Sequence, residues 1–279
     1  MNFPITSLAT IYWNAAPEII TSPIAIRWYG LLFAIGLIGA YYFLTKQFKR
    51  LEIPQKTLDS LIFYLIMAAI IGARLGHCLF YEPDVYLSDP LRILNVREGG
   101  LSSHGAAVAI VIAMLLFIYK NKGFNFFSLG DLIAVVIPFS GMCIRIGNFI
   151  NSEIVGKPAD LPWSVVFMRN DMIPRHPGQL YEAIAYLILL LILLFFFFKK
   201  DMYKKSGFLS GVFLIGMFVA RFFIEYFKDV QVDFENSMAL HLGQWLSIPF
   251  IMLGIIMLLY SRNHYNDYSA LQTEETEKK

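Results

Sequence analysis

The stretch Leu132-Ile-Ala-Val-Val-Ile-Pro-Phe-Ser-Gly141, followed two residues later by Ile144-Arg145-Ile-Gly-Asn148-Phe-Ile-Asn151-Ser-Glu153-Ile-Val-Gly156, decides how this chain is to be read. Its first half suits hydrocarbon. Its second half brings in an arginine and then a run of polar side chains. A guanidinium at membrane depth costs at least about 2.5 kcal/mol unless it meets a partner, a wet cavity or an anion. The rest of the chain is made of the same material. Of its 279 residues, 57% are hydrophobic and 16% are charged. Soluble domains average about 45–50% and about 25%. The fold class this predicts is all-α, a polytopic membrane protein. A net charge of +2 gives no argument for nucleic acid, and no nucleic-acid partner is expected.

A membrane-spanning helix needs about 20 mostly apolar residues. Seven stretches qualify: 24–44, 58–80, 104–119, 132–150, 180–198, 208–227 and 243–260. The third is short and opens at a Ser-Ser-His-Gly turn. Basic residues set the direction. Lys46, Lys49, Arg50, Lys56, Lys120, Lys122, Lys199, Lys200, Lys204, Lys205, Arg262, Lys278 and Lys279 fall on one side, against Arg92, Arg97, Lys157, Arg169, Arg175 and Lys228 on the other. The excess of positive charge on cytoplasmic loops predicts the N-terminus outside and the C-terminus in the cytoplasm. No basic region precedes the first apolar run, so no cleaved signal peptide is expected. The outward loops 81–103 and 151–179 are long and rich in Pro and Gly, and are expected to form a small head. Residues 1–262 read as one seven-helix transmembrane domain. Residues 263–279 read as a polar, disordered cytoplasmic tail.

With that orientation, polar side chains from all seven spans fall in one outer layer: Tyr29; Arg74 and His77; His104; Arg145 and Asn148; Gln179 and Glu182; Arg221 and Glu225; Gln244. Helix ends do gather polar residues, and arginines snorkel. Snorkelling leaves the asymmetry unexplained, because the inner halves of the same spans are almost purely Leu, Ile, Phe, Val and Ala. Arg221 and Glu225 share a helix face and could form an internal ion pair. The alternative is an anion site in which Arg145 and Arg221 converge on a phosphate, which a rigid guanidinium fork suits. Cys78 and Cys143 lie inside spans and read as packing residues without disulfide or metal spacing. The histidines lack ligand spacing, and no Gly-rich nucleotide loop is present, so neither metal nor cofactor is expected.

The string from Arg145 to Gly156 resembles the signature of the prolipoprotein diacylglyceryl transferases. Other segments agree, in order: Arg27-Trp-Tyr29-Gly30, Ser103-His104-Gly-Ala106, His176-Pro-Gly-Gln179-Leu-Tyr-Glu182, Arg221-Phe-Phe-Ile-Glu225 and Gly243-Gln244-Trp-Leu-Ser247. The chain departs from the family pattern at Ile144, where a Gly is usual, and at Met217, where a Tyr is common. The resemblance implies a bacterial inner-membrane enzyme with a seven-helix bundle and a small head. Its reaction would move the diacylglyceryl group of phosphatidylglycerol to the lipobox cysteine thiol of a prolipoprotein signal peptide, leaving glycerol-1-phosphate. On that reading His104 is the candidate base, against a capping or interface role. Arg145 and Arg221 hold the phosphate. Tyr29, Asn148, Asn151, Glu153, Gly156, His176, Gln179, Glu182 and Glu225 bind or orient substrate. Tyr29 could equally belong to an interfacial aromatic belt, and Glu182 could be a structural partner. The substrate supplies the nucleophile, so replacing Cys78 and Cys143 with Ala should leave activity intact. A transporter or flippase for anionic phospholipid is the competing function. It should show repeated halves or helices broken near the midplane, and the sequence shows neither.

Overall fold

The computed structural model describes residues 11–22, 25–95, 100, 102–229 and 240–272. The order is β1 (Ile11–Trp13), β2 (Glu18–Ile20), β3 (Ile26–Arg27), α1 (Trp28–Arg50), α2 (Gln55–Phe80), α3 (Pro83–Ser88), α4 (Ser103–Lys120), α5 (Phe126–Ile150), β4 (Val165–Phe167), β5 (Pro174–Arg175), α6 (Gly178–Lys200), α7 (Phe208–Ile224), α8 (Leu242–Tyr260) and α9 (Ser269–Gln272). Among the described residues, six helices are long and apolar enough to cross a membrane, and α4 is a shorter apolar helix. These are the seven expected spans. Ile24, where the first was expected to begin, lies outside the described residues.

The helices fall into two compact units. One comprises Met1–Phe43 with Gly130–Asn266, the other Leu44–Leu129 with Asp267–Lys279. In the second unit α2 packs on α4 through small residues. A Cβ built on Gly76 would stand 2.6 Å from the Gly105 Cα, so any side chain there would force the backbones apart. The connection after α2 was expected to be part of a small head. It forms α3 and a 3-10 turn at Pro90–Leu94, and Arg74 organises it. That guanidinium is 3% exposed. It donates to the carbonyls of Ile93 (2.8 Å), Arg92 (2.7 Å), Asn95 (3.0 Å) and Gly100 (3.3 Å), and lies 4.9 Å from the centre of the Tyr86 ring.

In the first unit α6 packs on α7 and α7 on α8. Helix α5 starts six residues before the expected 132 because Asp131, a residue that argues against a span, is fully satisfied. Its carboxylate accepts from the amides of Gly207 and Ser210, the Ser210 hydroxyl (each 2.8 Å) and Asn266 Nδ2 (3.2 Å), and so closes the start of α7. A buried charge is tolerated when hydrogen bonds replace its water. The tail expected to be disordered from 263 is packed as far as Gln272. Asn266 also donates to the Tyr203 carbonyl, Tyr268 and Leu271 are buried, and Gln272 donates to the Leu51 carbonyl. Residues 273–279 lie outside the described residues.

The head contributed by this unit is a three-stranded sheet in the order β1-β4-β5, with β1 parallel to β4 and β4 antiparallel to β5. Short, distant segments build it, so no local alternation announces it. Phe149, Val165 and Phe167 form its core with Trp13, Val155 and Leu180 packed around them. The ring centroids of Trp13 and Phe149 lie 4.6 Å apart, which seats the sheet on the last turn of α5.

Candidate active site

Arg145 and Asn148 are three residues apart in the last turns of α5 and share a face. Arg145 Nη1 donates to Asn148 Oδ1 at 3.2 Å. The helix stops at Ile150, and the chain then folds back through Ser152 (φ 57°) and Ile154 (φ 54°), both left-handed without being glycine. Such residues cost on the order of 1 kcal/mol or more each and persist where surrounding contacts enforce them. Here the enforcing contacts are visible. Asn170 Nδ2 donates to the Ser152 carbonyl at 2.8 Å, the Glu153 amide to the Asn148 carbonyl at 2.9 Å, and Gln179 Nε2 to the Glu153 carbonyl. The reversal swings the Glu153 carboxylate onto Asn148 Nδ2 (2.9 Å) and Asn151 Nδ2 (3.1 Å). Tyr29 lies beside the same turn, since a Cβ on Gly147 would stand 3.0 Å from its ring. Ala25, Arg27, Tyr29, Gly30, Asn151 and Glu153 line an open cavity of about 450 Å³.

Behind Arg145 runs a chain of buried charges. Arg145 Nε meets Glu182 Oε2 at 2.7 Å, and Glu182 is 1% exposed. The other Glu182 oxygen lies 3.6 Å from Lys228 Nζ, which in turn lies 3.3 Å from Glu225 Oε2. Glu225 is pressed against Gly243, where an added Cβ would stand 2.6 Å from its carboxyl carbon. Gln244 links the ends of α7 and α8 by donating to the Phe222 carbonyl (3.1 Å) and accepting the His241 amide (3.0 Å). Lys157 Nζ lies 3.2 Å from His241 Nε2, which requires that nitrogen to act as the acceptor.

Arg221 differs from every other charge in this unit's site. The internal pair with Glu225 that its spacing allows does not form, because Glu225 turns to Lys228. Among the described residues Arg221 has no ion-pair partner, and its Nε is buried without a hydrogen bond. Tyr186 on α6, one turn beyond Glu182, lies within electrostatic reach of both Arg145 and Arg221. The two guanidinium groups therefore reach one neighbourhood from α5 and α7, with one of them lacking a counter-charge.

Two other expected participants have mainly structural partners. His176 Nδ1 lies 3.1 Å from the Tyr181 hydroxyl, which also accepts from Trp163 Nε1 at 2.8 Å, and its ring packs 5.0 Å from that of Phe227. Burial lowers the His176 pKa by disfavouring the cation. Gly156 permits a close crossing of chains: a Cβ there would stand 2.5 Å from the His176 carbonyl oxygen and 2.6 Å from that of Phe227. At Gly30, by contrast, a Cβ would meet nothing within 4 Å.

His104 belongs to the other unit. It sits exposed in the first turn of α4, just after Ser102, whose hydroxyl accepts the Gly105 amide at 3.2 Å. It borders an open apolar groove of about 560 Å³ walled by Leu75, Leu79, Phe80, Val108 and Ile112. Sequence reading overlooked Lys228 and Tyr186. Lys228 passed as one basic residue of an outward loop, yet it is 5% exposed. The Glu225-to-Lys228 spacing of i,i+3 was the one available signal.

The family model for prolipoprotein diacylglyceryl transferase matches residues 17–260. Proteins named phosphatidylglycerol–prolipoprotein diacylglyceryl transferase are similar along most of the chain. That of Tolumonas auensis is 43% identical over 252 residues, covering 90% of this chain and 97% of the relative. One from Bacteroides fragilis is 44% identical over 266 residues, covering 91% and 96%. The Chloroherpeton thalassium protein is 40% identical over 252 residues, covering 90% and 94%.

Proposed function

The chain belongs to the prolipoprotein diacylglyceryl transferase family, and from that premise we propose that it moves the diacylglyceryl group of phosphatidylglycerol onto the lipobox cysteine of a prolipoprotein. The cysteine sulfur attacks the glycerol carbon that bears the phosphate. A C–S bond forms, the C–O bond to phosphate breaks, and glycerol-1-phosphate leaves with the electron pair. The thiol proton goes to a base. The reaction takes place in the bacterial inner membrane, at the face where the N-terminus lies outside, and the C-terminus faces the cytoplasm.

The observation that carries this reading is Arg221, a membrane-helix arginine whose Nε is buried without a partner among the described residues. A phosphodiester supplies the missing charge. Arg145 is pre-aimed by Glu182 and Asn148, so little reorganisation is needed as negative charge grows on the leaving oxygen. That is the condition under which fixed donors accelerate a reaction most. Asn148, Asn151 and Glu153 orient the headgroup, and Tyr29 donates to it. Glu182, Glu225 and Lys228 act through the arginines as positioning residues, and Gln179 and His176 hold the turn after α5 in place. His104 takes the thiol proton. A free cysteine has a pKa of about 8.5, so most of it is protonated at neutral pH, while an imidazole titrates near the working range.

The test combines purified protein, phosphatidylglycerol vesicles and a synthetic peptide carrying a lipobox cysteine. A gain in peptide mass equal to one diacylglyceryl group, with release of glycerol-1-phosphate, is expected. Movement of lipid between leaflets without any mass gain would overturn the transferase reading in favour of a flippase.

A further inference from the structure

The two edges of the head sheet are treated differently. Beyond β5 the chain covers its own edge. The Ala159 amide donates to the Pro174 carbonyl at 2.9 Å and the His176 amide to the Lys157 carbonyl at 3.0 Å, and Pro174 has no amide hydrogen to offer. The β1 edge has no such cover among the described residues. Ile11 donates to the Ser164 carbonyl at 3.1 Å, and the Trp13 carbonyl accepts from Met168 at 3.0 Å. In a parallel pair this alternation turns the amide and carbonyl of Tyr12 outward, away from β4. Ile11 and Tyr12 are 51% and 56% exposed. The strand Ile-Tyr-Trp carries no charge and no proline, the features by which proteins usually protect an edge.

This edge adjoins the site. Trp13 packs on Phe149, which lies in the chain between Asn148 and Asn151. On the transferase reading, the second substrate is a polypeptide, and the relatives' names give it as a whole class of proteins, prolipoproteins. An enzyme that must accept many chains around one cysteine gains from contacts that ignore side-chain identity. Main-chain pairing at an open sheet edge is such a contact. We propose that the outward edge of β1 receives an extended stretch of the prolipoprotein beside the acceptor cysteine as an added strand, with the main chain of Tyr12 making the bonds.

The inference rests on the transferase reading, and one peptide series separates the two. The acceptor peptide is N-methylated at one backbone position at a time beside the cysteine, and KM and kcat are measured with phosphatidylglycerol vesicles. Methylation of the one amide that donates to the Tyr12 carbonyl should raise KM about fivefold, the worth of one main-chain hydrogen bond, with the neighbouring positions silent and kcat unchanged. If the unmethylated peptide gains no diacylglyceryl group, the transferase reading itself fails. If it reacts and no methylated position raises KM, or all do so equally, the edge proposal fails. On the enzyme, Tyr12→Pro removes the outward amide and should raise KM, whereas Tyr12→Ala should not. Equal effects of the two would assign the role to the side chain and overturn the proposal. A fall in KM on deleting residues 1–9, or Tyr12-to-Tyr12 crosslinking of two copies that blocks the peptide, would give the edge to the chain's own terminus or to a second copy, and would overturn it too. The peptide series decides the matter even if Tyr12→Pro fails to fold.

Discussion

Arg74 and Arg221 stand in comparable places in the two units, each in the closing turns of a long apolar helix. Four backbone carbonyls and a tyrosine face satisfy Arg74. Arg221 has a buried Nε with no hydrogen bond and no carboxylate partner among the described residues. The same side chain is in one case the post around which the 81–95 connection folds, and in the other a charge without a counter-charge among the described residues. Burying a guanidinium is costly either way. What separates a structural arginine from a binding one is whether the protein itself supplies the compensation.

The strongest way to break this comparison is to remove each arginine in turn. Arg221→Ala should lower transfer at least about a hundredfold, the scale for losing one charge-stabilising group at a developing anion, with the thermal midpoint nearly unchanged. Arg145→Lys should rescue poorly, because a point charge cannot hold both Glu182 and Asn148. Arg74→Ala should do the reverse, costing several kcal/mol of stability measured by thermal melting in detergent. If Arg74→Ala melts like the parent while Arg221→Ala unfolds, the assignment of roles is inverted. His104→Ala should reduce kcat by about a hundredfold or more, the usual share of general-base catalysis. The deficit should narrow as pH rises past the thiol pKa of about 8.5, where the substrate ionises unaided. A pH–rate profile parallel to that of the parent would remove His104 from proton transfer.

Two further measurements sharpen the structural side. Lys228→Met leaves the partly buried Glu225 without its cation and the buried Glu182 with Arg145 alone, and should cost about 3 kcal/mol, whereas Lys228→Arg should keep most of the stability. Melting curves of both variants decide this. The smallest effect concerns His176. Its folded pKa lies below its unfolded value because burial disfavours the cation. The unfolded chain therefore binds more protons in acid, and stability rises with pH. The contribution is fully present above the unfolded pKa of about 6.5 and is lost as pH falls through the lower folded value. Melting temperatures should drop on acidification from pH 7 to 5, and His176→Phe should flatten that slope.

The readable parts of the molecule are those on which lipid imposes a rule. Backbone groups in hydrocarbon must be bonded within their own helix, so apolar length alone locates α1, α2 and α5 to α8 and marks the short α4. The rule misplaces the start of α5 because it counts Asp131 as a cost, and cannot see the donors from Gly207, Ser210 and Asn266, which come from more than 70 positions away. Loop composition likewise hid the β1-β4-β5 sheet, whose strands are two or three residues long and whose β1 comes from about 150 positions before β4. In the site, the polar layer and its family signature were legible from Arg145 to Gly156. The partner of each charge was not: Arg221 and Glu225 have the spacing of an ion pair, yet Glu225 pairs with Lys228.

The amino-acid sequence by itself determined that this chain lives in a membrane, how many times it can cross, and which polar residues break the apolar pattern, because those properties depend on local transfer free energy. Tertiary structure alone decided which charges neutralise one another and, among the described residues, which arginine lacks a counter-charge and which edge of the head lacks cover, because each of these depends on groups brought within about 4 Å from distant parts of the chain.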